Sequence, residues 1–328
     1  MKAFEVSEHE GQLVCGEVDT EPFAKDPNDI LVEVDFSGIN FKDALVAMAP
    51  SRVRRTTRLV GGVDAAGVVV ESPDQAFPMG ARVAVHGGDL GVARDGGFAQ
   101  YVYAPARFLN VLPGSISTRD AMIIGTAGFT AMASVLALEA HGLAKDGDVL
   151  VSGATGGVGS LAVTFLAARG HRPVASTGSL HESGWLTERG ATRIIGRDEI
   201  SDRPDRVLGS ERWTGAVDCI GGDTLVQILR SLVYGGAVAA SGLVAGTDLH
   251  TTIYPFITRA VSLLGIDAVE ATRPTRDHVW AALGDVAPKV DLEPLVDSVV
   301  GLHELGDALD TMRTGRTRGR ILVTPTPG

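Results

Sequence analysis

The stretch from Asp148 to Gly170, DVLVSGATGGVGSLAVTFLAARG, constrains the fold more than any other part of the chain. Asp148–Ser152 is a short apolar run of strand type. Gly153, Gly156, Gly157 and Gly159 follow it directly, and Val158 to Ala168 is an apolar, helix-favouring segment. Strand, glycine turn and helix in that order make a pyrophosphate-binding unit. The glycines let the backbone approach phosphates closely. The helix start then presents unpaired N–H groups and a positive dipole end to the anion. A glycine-rich loop that only packs a helix on a sheet is the plainer alternative.

Around this unit β and α segments alternate. Strands are expected at Asp148–Ser152, Pro173–Thr177, Arg193–Ile195, Ala216–Ile220, Gly236–Ser241 and Ser262–Gly265. Helices are expected at Val158–Arg169, Ser183–Arg189 and Thr224–Leu232. Such alternation implies a doubly wound parallel sheet. Residues 1–119 read differently. Strand-like runs at Ile30–Phe36, Gly67–Val70, Arg82–Val85 and Phe98–Val102 are punctuated by Gly and Pro, with one short helix at Asp43–Met48. Asp120 to Leu138 reads as helix. The tail from about His278 gives two helical stretches and a last strand, Arg320–Val323. The expected organisation is an α/β chain with a β-rich domain at 1–119, completed by about 270–328, and a nucleotide domain at 120–269.

Composition excludes several classes. The 328 residues carry a net charge of −11, which disfavours nucleic acid and anionic membranes as partners. No basic-plus-apolar leader and no apolar run near eighteen residues is evident, so a soluble cytoplasmic protein is expected. Cys15 and Cys219 suggest no disulfide framework, and the eight histidines show no metal-ligand spacing. No YxxxK pair occurs on the four tyrosines, and no Ser-His-Asp arrangement follows from spacing.

The second strand of a dinucleotide fold ends near the adenosine ribose, where a cofactor lacking a 2′-phosphate usually meets an acid. Here the sequence is Ser176-Thr177-Gly178-Ser179, with no acid before Glu182. Hydroxyls and free N–H groups suit a phosphate, and Arg197 follows the third strand. The expected cofactor is NADPH.

Four segments carry a family resemblance: Gly38-Ile39-Asn40-Phe41-Lys42-Asp43, Gly62-Val63-Asp64-Ala65-Ala66-Gly67, Ile124-Gly125-Thr126-Ala127-Gly128-Phe129-Thr130-Ala131 and Gly153–Ser160. With them the chain resembles the medium-chain dehydrogenase/reductase superfamily, in its zinc-free, quinone-oxidoreductase-like branch, nearest to the NADPH-dependent acryloyl-CoA reductases. The resemblance implies a GroES-like catalytic domain, a Rossmann domain, a cleft between them, and homodimers joined through the Rossmann sheets. Zinc-dependent relatives place Cys and His at the positions of Asn40 and Phe41 and another His at Val63. Asn and Val cannot replace thiolate and imidazole, so no metal is expected.

Hydride transfer without a Lewis acid suits an activated alkene, whose carbonyl takes up the negative charge. The resemblance places Asn40 against substrate or nicotinamide ribose and Phe41, commonly Tyr in the subgroup, beside the nicotinamide. Asp64 then orients Asn40 or Lys42 or relays a proton. The cofactor set is Phe41, Thr126, Thr155, Gly156, Gly157, Val158, Gly159, Ser176, Thr177, Gly178, Ser179, Arg197, Ser241, Gly242, Leu243, Ile257 and Ala268. At Ser179 the subgroup often has Arg. The basic run Arg52, Arg54, Arg55 and Arg58 is unusual in an acidic chain and reads as a collar for the phosphates of an enoyl-CoA substrate, with a solvated loop as the alternative. The expected activity is NADPH-dependent reduction of a 2-enoyl-CoA such as acryloyl-CoA. A quinone or α,β-unsaturated ketone reductase is the alternative enzyme, and a noncatalytic NADPH-binding protein the alternative of another class.

Overall fold

A computed structural model describes residues 1–10, 12–201 and 206–326. The chain forms two compact units, Met1–Thr126 with Ala268–Gly328, and Ala127–Asp267. The first unit begins with β1 (Lys2–His9), β2 (Gln12–Asp19), β3 (Ile30–Gly38), α1 (Phe41–Val46), β4 (Arg58–Val60), β5 (Asp64–Glu71), β6 (Arg82–His86), β7 (Tyr101–Ala104) and β8 (Leu109–Val111). Helix α2 (Thr118–Ala140) follows and carries the chain out of this unit. The second unit holds β9 (Asp148–Val151), α3 (Gly157–Ala168), β10 (Arg172–Ser176), α4 (Ser183–Glu188), β11 (Arg193–Ile195), β12 (Trp213–Asp218), α5 (Gly222–Ser231), β13 (Leu232–Ala240), α6 (Tyr254–Arg259) and β14 (Ser262–Gly265). The chain ends in the first unit with α7 (Arg273–Val286), β15 (Val296–Gly301), α8 (Leu305–Arg313) and β16 (Arg320–Thr324).

In the second unit the strand order is β11-β10-β9-β12-β13-β14, and every pairing is parallel. This is the doubly wound arrangement expected from the alternation. Its inner strands are apolar on both faces: Val149, Leu150, Val151, Val174, Ala216 and Val217 are fully buried. Helices covering both faces of a parallel sheet require that composition. The first unit alternates instead. Ile30, Val32 and Val34 point into one core with Val69, Val83, Val85, Val102 and Leu109, while Glu33 and Asp35 face outward. Strand β16 closes this sheet by pairing with β3 on one side and β15 on the other. Residues from the end of the chain therefore reach the middle of the first unit.

The hairpin of β1 and β2 is absent from the sequence expectation, and the strand expected at Phe98–Val102 lies at Tyr101–Ala104. Strand β2 is an edge whose apolar residues fall on both faces, Leu13 and Cys15 on one and Val14 and Val18 on the other, so it lacks the apolar alternation that marks a strand. Helix α2 corrects another expectation. It is long and apolar enough to cross a membrane by length and composition, yet most of it is buried inside the protein. It is also broken at Gly125, where φ is 50° and ψ −159°. A Cβ at Gly125 would lie 2.5 Å from Asp64 Oδ2 and 2.6 Å from Arg320 Nη2. The break lets a buried ion pair pass beside the backbone.

Gly125→Ala combines a disfavoured backbone with collision against two charged groups. It is expected to cost about 2–4 kcal/mol in urea-induced unfolding. A loss within about 0.5 kcal/mol of zero would mean that the break can relax into regular helix.

Candidate active site and nucleotide site

In the first unit the site grows from Asp64, the first residue of β5, which is wholly buried. Its Oδ2 accepts from Asn40 Nδ2 at 2.8 Å and from the Thr126 amide at 2.9 Å. Its Oδ1 accepts from the Thr126 hydroxyl at 2.5 Å. Arg320, buried on β16, places Nη2 3.5 Å from Asp64 Oδ2. The guanidinium also donates to the carbonyls of Ile123 at 3.1 Å, Ile39 at 3.0 Å and Met122 at 3.3 Å, and to Asn40 Oδ1 at 3.2 Å. Burial lowers the Arg320 pKa, and Asp64 and Asp43 oppose that shift.

This wiring sets the polarity of the exposed groups. Asn40 spends its amide nitrogen on Asp64 and on the Gly38 carbonyl, and takes Arg320 on its oxygen. What remains for a ligand is a carbonyl lone pair. Thr126 spends its hydroxyl proton on Asp64, so that hydroxyl is not a donor toward a ligand. Of the partners expected for Asp64, its carboxylate bonds Asn40 and not Lys42.

Asp43 is the buried partner beneath. Its Oδ2 accepts from the Asn40 amide at 2.8 Å and its Oδ1 from the Val63 amide at 2.9 Å, tying α1 to the start of β5. Burial pushes its carboxyl up to about 7, with those two N–H bonds pulling the other way. Asn40, Lys42, Val63, Gly87, Gly88, Leu90, Thr126, Ala268 and Val269 enclose a cavity of about 40 Å³. Phe41, 37% exposed, heads α1 beside it. The Gly87–Gly88 wall is held from behind. Gly88 donates to the Val269 carbonyl at 2.9 Å, and Trp280 Nε1 donates to His86 Nε2 at 3.2 Å. Burial, with Arg276 nearby, keeps His86 well below the usual imidazole range and therefore neutral.

These donors do not fit a zinc ion. Asn40, Phe41 and Val63 stand where thiolate and imidazole would be needed, and both nearby carboxylates are consumed by N–H and O–H donors. Among the described residues no group of three or more His, Cys, Asp or Glu could hold a metal.

The basic run is largely structural. Arg54 is 3% exposed, is paired with Glu8 and donates to the Val46 carbonyl at 2.8 Å and the Thr56 carbonyl at 3.1 Å. Its place in a phosphate collar is thus corrected: the guanidinium already has internal partners. Arg58 pairs with Glu5 at 2.8 Å. Arg52 and Arg55 are exposed.

In the second unit the glycine turn joins β9 to α3. Gly153 has φ 60°, and Gly156 is the N-cap. A Cβ at Gly159 would lie 2.3 Å from the Gly153 carbonyl, so that position requires glycine. Thr155, Gly157 and Val158 lie in the same turn, where the first N–H groups of α3 lack helical acceptors. After β10, Ser176 and Thr177 are buried. Ser176 turns its hydroxyl to the Gly196 carbonyl at 3.5 Å, and Thr177 Oγ1 accepts from the Ser179 amide at 2.9 Å. These two shape the turn from within, which removes Ser176 from direct phosphate contact. Gly178 and Ser179 remain accessible. Arg197 lies directly against them: a Cβ on Gly178 would stand 2.6 Å from its guanidinium carbon.

Asp218, at the end of β12, organises the neighbouring turn and is not among the residues expected from the sequence. It accepts from Ser152 Oγ at 2.6 Å and from the Gly221 amide at 2.8 Å. Its own carbonyl accepts the amides of Ser241 at 3.0 Å and Gly242 at 3.3 Å. The amides of Ser241 and Gly242 are thereby spent, and exposed Leu243 is what this turn presents. Burial raises the Asp218 pKa, against the Ser152 and backbone bonds. Ile257, 69% exposed, lies on α6, and Ala268 lines the first unit's cavity.

A glycine turn at the carboxyl ends of a doubly wound parallel sheet, and a cavity with wired acceptors in a β-rich unit, define a nucleotide-dependent dehydrogenase or reductase. Residues 26–114 match the alcohol dehydrogenase GroES-like domain, and residues 157–283 match the zinc-binding dehydrogenase family. A putative quinone oxidoreductase of Bacillus subtilis is 43% identical over 93% of this chain and 92% of its own length. The acrylyl-CoA reductase of Ruegeria pomeroyi is 40% identical over 90% of this chain and 89% of its own. The yhdH oxidoreductase of Salmonella enterica, solved in complex with NADP, superposes with a TM-score of 0.94 at 36% identity, covering 99% of this chain and 100% of that one. The Bacillus yhfP protein, solved with NAD bound, gives 0.93 at 40% identity, covering 98% of each chain. The chain belongs to the medium-chain dehydrogenase/reductase family.

With its carboxyl pushed up to about 7 by burial, Asp43 is expected to hold, between pH 3.8 and about 7, a proton that the unfolded chain has released. The unfolding free energy is therefore expected to fall as pH rises through that window, by roughly 1 kcal/mol per pH unit from this group. Asp43→Asn should flatten the slope in denaturant titrations across the window. An unchanged slope in the variant would show that Asp43 is ionised throughout.

Proposed function

We propose that the protein reduces the C=C bond of a short 2-enoyl-CoA, most simply acryloyl-CoA to propanoyl-CoA, with NADPH. The observation that carries this reading is the commitment of both site carboxylates to internal hydrogen bonds. With no zinc ligand set and no carboxylic acid free to protonate an alkoxide, a simple aldehyde or ketone has nothing to take its charge. An enoyl thioester supplies its own electron sink. The cavity of about 40 Å³ suits the end of a short acyl chain better than a ring. The 40% identical acrylyl-CoA reductase supports the same substrate class.

NADPH supplies the hydride. Two similar yhdH structures, of Salmonella enterica and E. coli, hold NADP and NADPH, and the Bacillus yhfP structure holds NAD. The turn after β10 favours the phosphorylated form. It offers Gly178, the Ser179 hydroxyl and the Arg197 guanidinium, and no acid stands at residues 176–179. In the first unit, Thr126 Oγ1 suits the carboxamide nitrogen and Asn40 Oδ1 a ribose hydroxyl, while Phe41 gives an apolar surface. Arg52 and Arg55 remain candidates for the coenzyme A phosphates.

We further propose a cytoplasmic homodimer. The edge strand β14 exposes Leu263, and Ile253, Tyr254, Ile257 and Val244 of the same unit are more than half exposed. Both cysteines are free, as suits a reducing compartment.

The test is NADPH oxidation with acryloyl-CoA beside a simple quinone, with NADH as control. Turnover of acryloyl-CoA that prefers NADPH is the expected result. Turnover of quinone alone would transfer the assignment to the reading favoured by the 43% identical putative quinone oxidoreductase. Arg197→Met is expected to raise the KM for NADPH about 10- to 100-fold and leave that for NADH nearly unchanged. Equal effects on both cofactors would remove Arg197 from the 2′-phosphate site.

A further inference from the structure

Lys42 is the one residue of the small cavity whose chemistry the wiring leaves unused. It is half-buried, and it lines the cavity with Asn40 and Thr126. Among the described residues its ammonium makes neither an ion pair nor a hydrogen bond. Two carboxylates sit close in sequence and space, Asp43 and Asp64, and neither is turned to it. Asp43 holds the Asn40 and Val63 amides, and Asp64 holds Asn40, Thr126 and Arg320. A position in the first turn of α1 offers a cation nothing in return. With no internal partner, the Lys42 ammonium is left available to a ligand that enters the cavity.

The neighbours define what that ligand must be. Asn40 and Thr126 have given their protons to internal acceptors, so neither donates to an oxyanion. Among the side chains that line the cavity, Lys42 is the one that brings a cationic donor for negative oxygen. We infer that Lys42 is a catalytic residue that binds the thioester carbonyl oxygen and stabilises it as charge arrives. This deepens the proposed function and rests on its substrate class. In the step, hydride forms a C–H bond at the β-carbon of the enoyl thioester. The π electrons of the C=C bond move to the Cα–carbonyl carbon bond, and the carbonyl π pair moves to oxygen, giving an enolate. The α-carbon then takes a proton from water. The enoyl thioester gains two electrons and two hydrogens in all, and NADPH becomes NADP⁺. Lys42 keeps its proton and contributes a charge-assisted hydrogen bond that is strongest to the enolate.

The test separates this role from the substrate assignment. Lys42→Met should lower kcat for acryloyl-CoA about 100-fold, with NADPH binding, followed by fluorescence, and Tm close to wild type. Lys42→Arg should recover at least a tenth of the wild-type rate. A binding measurement needs no turnover: the nitronate of 1-nitropropane imitates a planar enolate, and the neutral nitroalkane is its control. By calorimetry on NADP⁺-loaded wild type, the nitronate should bind at least 10-fold tighter than the neutral form, and Lys42→Met should abolish the difference. Equal nitronate binding in wild type and Lys42→Met, or an unchanged kcat in the variant, overturns the inference. Failure of the wild type to reduce any enoyl-CoA would instead overturn the substrate assignment, while the nitronate comparison still decides whether Lys42 is an oxyanion donor.

Discussion

The buried ion pair of Arg320 and Asp64 is the interaction on which the site depends. Each is nearly or wholly inaccessible, at 2% and 0% side-chain exposure. Removing two such groups from water costs several kcal/mol each, and attraction alone offsets that cost only when the remaining hydrogen-bonding capacity is also satisfied. Here it is satisfied. Three backbone carbonyls and Asn40 take the guanidinium protons, and Asn40 and Thr126 take the carboxylate lone pairs. The pair draws together the last strand, the loop after β3, the start of β5 and the break in α2. A fold that used hydrophobic residues here would have no means of orienting an amide and a hydroxyl toward a ligand.

That wiring has a chemical consequence. Asn and Thr can each donate or accept, and a ligand would meet either face of an untethered side chain. Asp64 removes the ambiguity by taking the protons. The cavity is then lined by two side chains of fixed orientation, with Lys42 beside them. Where a zinc site would need thiolate and imidazole, this chain has an asparagine and a valine, so the proposed reaction draws on oriented dipoles and on a substrate with its own electron sink.

Much of the second unit was legible because parallel strands are apolar throughout and their helices are amphipathic or apolar. The strands Arg193–Ile195 and Ser262–Gly265 lie where the sequence placed them, and the others differ by a few residues at their ends. The glycine turn was legible because close approach leaves no substitute for glycine at 159. The hairpin at the start of the first unit was not, since an edge strand with apolar residues on both faces carries no periodic signal. Arg54 misled for a different reason. Charge in a sequence reads as surface, and only the fold shows Glu8 and three backbone carbonyls surrounding that guanidinium. Arg320 and Asp218 escaped notice because their partners lie up to 281 and 66 residues away. Ser176 and Ser179 looked equivalent three residues apart, yet one faces inward and the other outward at the end of β10.

The central claim is that hydride reaches the β-carbon of an enoyl thioester and that the second hydrogen comes from water. It is tested most directly with NADPH deuterated at both C4 positions and acryloyl-CoA in ordinary water, with the acyl product analysed by NMR. The account predicts one deuterium at C3 of propanoyl-CoA and none at C2. Deuterium at C2, or an unlabelled product formed at the rate of NADPH oxidation, would contradict it.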